Sequence, residues 1–195
     1  MPNFLKAEID IITRLKNELS PKLIYHSYFH TLDVMNAAMQ IAEAENIAQD
    51  EISLLRIAIA YHDSGFIELY NGHESKGCDY AREDLPKLGF SQYQIDLICG
   101  MIMATKLSNK ANNKLEEIIS DADLDYLGRF DYPHISEKLF KELQLNSLID
   151  SLESWKVMQQ EFMTKHNYLT TYSKENREAI KYKNLEAIKL SQISF

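Results

Sequence analysis

From Ile52 to Tyr61 the chain reads Ile-Ser-Leu-Leu-Arg-Ile-Ala-Ile-Ala-Tyr, and His62-Asp63-Ser-Gly65 follows directly. A helix apolar on nearly every side has to be buried in the middle of its fold. Such a helix does not end in an imidazole and a carboxylate without cause, because burying a neutral polar group with no partner costs roughly 2–7 kcal/mol. Adjacent side chains on a regular helix point about 100° apart. At a loosening helix end, however, both can turn toward one point, and a divalent cation at that point would satisfy both. Gly65 is read as the stop signal of this helix.

The rest of the sequence is compatible with a helical core built around this segment. A chain of 195 residues with 45% hydrophobic content has enough material for one domain with a substantial core. With only 6 Gly and 4 Pro, turns are few, and no stretch alternates in the manner of a half-buried strand. The expected fold class is therefore all-α, a single-domain helical bundle over 1–195. Apolar runs fall short of the ~20 residues needed to span a bilayer, and Met1 to Leu19 lacks a secretory signal pattern. Cys78 and Cys99 have no metal-type spacing, so the expected setting is cytoplasmic, with reduced thiols and no membrane partner. A net charge of −8 argues against nucleic-acid polymers as partners, although a local site for one phosphate remains compatible with it. Oligomeric state is not fixed by the sequence.

Phe4, Ile9, Ile12, Leu15 and Leu19 recur at helical spacing and predict a first helix over 3–19, closed by Ser20-Pro21. A second runs from Thr31 to about Glu45-Asn46, and Asp50 is the expected N-cap of the central one. Further helices are expected from His73 to Leu88, from Ser91 to about Thr105, and from Leu115 to Gly128. Ile135–Leu145, Leu148–His166 and Tyr172–Ile193 complete the set.

His26 and His30 are four residues apart at the expected start of the second helix, where i and i+4 share a face. Ser120-Asp121-Ala122-Asp123-Leu124-Asp125 places three alternating carboxylates in apolar surroundings. Solvated acids at a helix start would explain Asp125. Asp121 and Asp123, following directly on Ile118-Ile119, fit better as one metal-bound carboxylate and a neighbour that supports it.

His30, the pair His62-Asp63, and Asp123 within Ala-Asp-Leu together resemble the H…HD…D signature of the HD superfamily of metal-dependent phosphohydrolases. The surroundings are similar too: Tyr25-His26-x-x-x-His30-Thr-Leu-Asp-Val, Ala60-Tyr-His-Asp-Ser-Gly-Phe66 with His73-Glu74, and Asp121-Ala-Asp-Leu-Asp-Tyr-Leu-Gly128. These blocks cover about 22–130, with the helices of 131–195 expected to pack on them. The resemblance implies that His30, His62, Asp63 and Asp123 hold one divalent cation, with Asp121 the alternative to Asp123. Two histidines and two carboxylates suit Mn²⁺, Fe²⁺, Mg²⁺, Ni²⁺ or Zn²⁺ without choosing among them. The resemblance also gives His26 the role of proton donor to the leaving oxygen, or else that of a cap or supporting donor. Asp63 or Asp121 would orient the attacking water. His73, Lys106 and Arg129, with Lys76 and Arg82, are the candidates for contacting a phosphate. His134 and His166 are expected to be structural. Only His73 lies between the His-Asp pair and the final aspartate, so one metal is expected rather than two. Ser64-Gly65-Phe66-Ile67 stands where alarmone hydrolases carry an acidic pair, and the Gly-Tyr-Pro motif of cyclic-dinucleotide phosphodiesterases is missing.

The implied activity is hydrolysis of a small phosphomonoester or phosphodiester, such as a nucleotide, by a metal-dependent phosphohydrolase. The alternative is a catalytically silent regulatory module that binds metal or nucleotide on the same fold. The complete H…HD…D set favours the enzyme, since silent members usually lose a ligand.

Overall fold

The computed structural model describes residues 1–191, in which all regular structure is helical. Its α-helices are α1 (Phe4–Glu18), α2 (Tyr28–Ala44), α3 (Gln49–His62), α4 (His73–Asp84), α5 (Gln92–Ala104), α6 (Lys114–Asp123), α7 (Tyr132–Leu145), α8 (Leu152–Lys165) and α9 (Thr171–Ser191). Short 3₁₀ turns span Ser64–Ile67, Leu85–Leu88 and Asp125–Gly128. The all-α expectation holds. The end of the last helix expected at Ile193 lies outside the described residues. None of the described helices is long and apolar enough to cross a membrane.

α3 is the hub, packed by α1, α2, α4, α5 and α6. From Leu54 to His62 every residue except Arg56 is buried, and Arg56 reaches out to clasp Glu8 at 2.9 and 2.5 Å. A second apolar cluster joins Tyr25, Tyr126, Leu127, Tyr132, Met163, Leu185 and Ile188, and so ties α7, α8 and α9 to the end of α6.

Several boundaries differ from the sequence reading for local reasons. Asp50 is not the N-cap of α3: that position is Ala48, and Asp50 and Glu51 lie in the first turn, where they complement the helix dipole. The helix expected over His73–Leu88 becomes 3₁₀ after Asp84, since Pro86 has no N–H to extend the ladder. α8 starts at Leu152 rather than Leu148 because the Ser151 side chain caps it through Ser154 N. α6 stops at Asp123, five residues before Gly128, and hands over to the 3₁₀ turn. His26 precedes α2 altogether, since Ser27 is extended at the N-cap position, so the shared helix face inferred for His26 and His30 does not exist. Gly65 does not end α3 as a left-handed stop. A Cβ there would lie 2.0 Å from the His73 carbonyl oxygen, so the missing side chain is what lets the start of α4 close on the end of α3.

Candidate metal centre

The C-terminal ends of α3 and α6 meet the first turn of α2. His62 is the last residue of α3 with Asp63 following it, Asp123 is the last residue of α6, and His30 stands in the first turn of α2. Although 93 positions separate them, His30 Nε2 and Asp123 Oδ1 are 3.0 Å apart. His30 Nε2 is 3.5 Å from Asp63 Oδ2, and His62 Nε2 lies 3.2 Å from Asp63 Oδ2 and 3.6 Å from Asp123 Oδ1. The donor atoms of His30, His62 and Asp123 all fall within 4.8 Å of one another.

These side chains are held in place by contacts on their outer sides. His62 Nδ1 lies 2.7 Å from the Ile59 carbonyl, which can only accept, so Nδ1 carries a proton and Nε2 is the ring atom turned to the cluster. Tyr25 packs on the His30 ring at 4.5 Å between centroids. His62 Nε2 and Asp63 Oδ2 are both buried without a hydrogen-bond partner. Two orphaned buried atoms facing one point are what a cation would satisfy, so the donor set fits a divalent ion. Burial opposes charging His62, but the neighbouring Asp63 and Asp123 carboxylates outweigh it and raise its pKa. In turn, the imidazoles hold Asp63 and Asp123 well below the usual carboxylate range despite their burial.

A ring stack flanks the cluster. Phe66 is sandwiched between His26, at 4.4 Å, and His73, at 3.8 Å. His73 Nδ1 faces the Tyr70 carbonyl at 3.1 Å, and its Nε2 lies 3.7 Å from Asp63 Oδ1 and 3.7 Å from Glu74 Oε1. His26 is governed by Glu142, a fully buried carboxylate on α7. Glu142 accepts from the Tyr25 and His26 backbone N–H groups at 2.8 and 2.9 Å, from His26 Nδ1 at 2.5 Å and from Tyr70 Oη at 3.0 Å. Burial lowers the His26 pKa, but the Glu142 hydrogen bond and the Asp63 charge more than offset this, so the imidazole is held toward its protonated form.

Three expected site residues are placed elsewhere. Asp121 is turned to the start of α9, where it accepts from Leu169 N, Thr170 N and Thr170 Oγ1 at 2.9, 2.8 and 2.7 Å. Its neighbour Asp123 faces the cluster instead, so Asp121 neither stands in for it nor orients a water there. The Arg129 guanidinium is taken up by Asp33 at 2.8 Å and Asp131 at 2.7 Å. Lys106 is exposed and does not line the cavity, although its neighbours Thr105 and Leu107 do. Lys76 pairs with Glu68 and Arg82 with Asp79. Sequence reasoning missed Glu142, Tyr70 and Phe66. Glu142 did leave a signal: it shares the face of α7 that carries Ile135 and Leu139, where a carboxylate needs a partner.

A cavity of about 400 Å³ opens from Asp63 and Asp123 and runs between α7 and α8, past Tyr126 to Leu139, Trp155 and Phe162. In backbone the molecule is similar to a predicted HD superfamily hydrolase from an uncultured Thermotogales bacterium, with a TM-score of 0.64 over 97% of this chain and 92% of that one, at 18% identity. The chain has the HD-superfamily fold. It is also similar to Bacillus subtilis YpgQ, in a structure determined with ADP, with a TM-score of 0.62 over 96% of each chain and 18% identity. No protein-family model matches the chain, and no curated protein matches it in sequence. At this identity the likeness to the HD proteins is one of fold, and the chemistry has to be argued from the side chains.

Proposed function

We propose that this chain is a metal-dependent phosphohydrolase acting on a small phosphorylated molecule. The observation that carries the reading is the pair of buried, unpartnered atoms, His62 Nε2 and Asp63 Oδ2, beside His30 and Asp123. The likeness to an HD superfamily hydrolase, and to a protein bound to ADP, supports the choice of phosphate chemistry.

His30, His62, Asp63 and Asp123 would hold the ion. When bound, a divalent cation polarises phosphoryl oxygens and acidifies water. The remaining work falls to the chain's own groups. His26, with Nδ1 fixed on Glu142, offers its Nε2–H to the leaving oxygen as a general acid. His73 and Asp63 line the cavity side by side and orient the attacking water. Burial of the cluster strengthens each of these interactions by lowering the local dielectric.

The test is turnover of aryl and metabolite phosphates by chelator-treated protein, with and without added Mn²⁺, Ni²⁺, Fe²⁺ or Zn²⁺, beside Asp63→Asn. Activity is expected only with metal, and the substitution is expected to lower it at least about 10²-fold. Equal activity in Asp63→Asn would overturn the reading. So would silence of the metal-loaded wild type, which would leave the binding-module alternative.

A further inference from the structure

We infer that the cavity selects a phosphomonoester with one phosphate joined to a flat, apolar body, and this rests on the phosphohydrolase reading above. The two ends of the cavity differ in chemistry. At the cluster end stand His26 and His73 together with the carboxylates of Asp63, Glu74 and Asp123. Beyond it the walls are Tyr126, Leu139, Leu143, Trp155, Met158 and Phe162. Neither a lysine nor an arginine lines the cavity among the described residues. Among the polar groups of the lining, Gln159 Oε1 already accepts from the hydroxyls of Tyr132 and Ser136.

This division sets what can be held. One phosphate reaches the cation site and the two histidines. A second or third phosphate would lie in a low-dielectric space lined by no lysine or arginine, where its charge is uncompensated. A sugar would bury most of its hydroxyls against leucine, methionine and tryptophan, where few polar groups meet them. A planar apolar group gains both area burial and ring stacking there. The volume of about 400 Å³ falls in the range of small-molecule sites. In the reaction, water adds to phosphorus and the P–O bond to the alcohol breaks. The alcohol oxygen takes its proton from His26, the attacking water releases one to solvent, and solvent reprotonates His26, leaving inorganic phosphate and a neutral apolar alcohol or phenol.

The experiment compares kcat/KM of the metal-loaded protein for glycerol phosphate, phenyl phosphate, 1-naphthyl phosphate, glucose 6-phosphate and ATP. A rise of about tenfold from phenyl to naphthyl is expected, the size set by the added buried ring area, with glucose 6-phosphate and ATP at the bottom. Sugar phosphates or ATP turned over better than naphthyl phosphate would overturn the inference and leave the phosphohydrolase reading standing. A second arm needs no turnover: calorimetric binding of 1-naphthylmethylphosphonate against methylphosphonate. Tighter binding of the naphthyl compound by about tenfold or more supports the selectivity even if nothing is hydrolysed, and equal affinity overturns it. Phe162→Ser, and Met158→Ser should the first fail to fold, is expected to shrink the naphthyl-to-phenyl ratio severalfold. An unchanged ratio in both folded variants would remove the preference from this wall.

Discussion

Glu142 and His166 show how burial sets the charge state of a single side chain. Glu142 keeps its pKa below the usual value despite burial, because His26 and two backbone N–H groups bind the ionised form. His166 goes the other way. Burial, and then the Lys181 ammonium, 3.5 Å from its Nδ1, push its pKa down to about 4. An unfolded histidine titrates near 6.5. Between these values the unfolded chain binds a proton that the folded chain refuses, so the His166 contribution to stability is complete above about pH 6.5 and is lost as pH falls toward 4. The expected loss is about 2 kcal/mol between pH 7.5 and 5. Urea unfolding at the two pH values checks it: the wild type should lose this increment relative to His166→Gln, and parallel behaviour would disprove the assignment. The sequence reading set His166 beside Tyr168, and the two rings lie 4.7 Å apart between centroids. The Lys181 charge, brought in by α9, was not visible.

At the scale of elements, Asp121 is a clamp between α6 and α9. Its carboxylate satisfies two backbone N–H groups just before α9, and Thr170 Oγ1 in turn caps the helix through Ser173 N at 3.2 Å. Gly128 allows the same approach from the other side, since a Cβ there would meet Arg177 Cβ at 2.5 Å. Asp121→Ala would strand those N–H groups and is expected to cost about 2–4 kcal/mol, read as a lower urea midpoint. The folded variant should still take up metal in the wild-type stoichiometry, because Asp123 and not Asp121 faces the cluster. Loss of metal from folded Asp121→Ala would contradict this division of roles. Helical periodicity could not separate the two aspartates. Which of them turns inward depends on the segment 167–170, nearly fifty residues downstream.

For the whole molecule, a cation held at the junction of α2, α3 and α6 would bind the folded chain and not the unfolded one. At a free concentration 100 times Kd it adds about 2.7 kcal/mol, or roughly 5–10 °C in Tm for a chain of this length. Calorimetric scans with and without chelator should show that shift in the wild type and not in His62→Ala, and equal shifts would place the ion elsewhere. The sequence alone determined the helical class and the burial of α3, and its resemblance to a known family pointed to His30, His62, Asp63 and Asp123, which the fold brings together. Apolar periodicity and the cost of burying polar side chains are local properties of a chain. Tertiary structure decided that Glu142 holds His26, that Asp121 faces away, that Arg129 is already paired, and that α7 and α8 build an apolar wall without lysine or arginine. Each of these depends on which distant segment supplies the hydrogen-bond partner or the covering surface, and spacing along the chain carries no record of that.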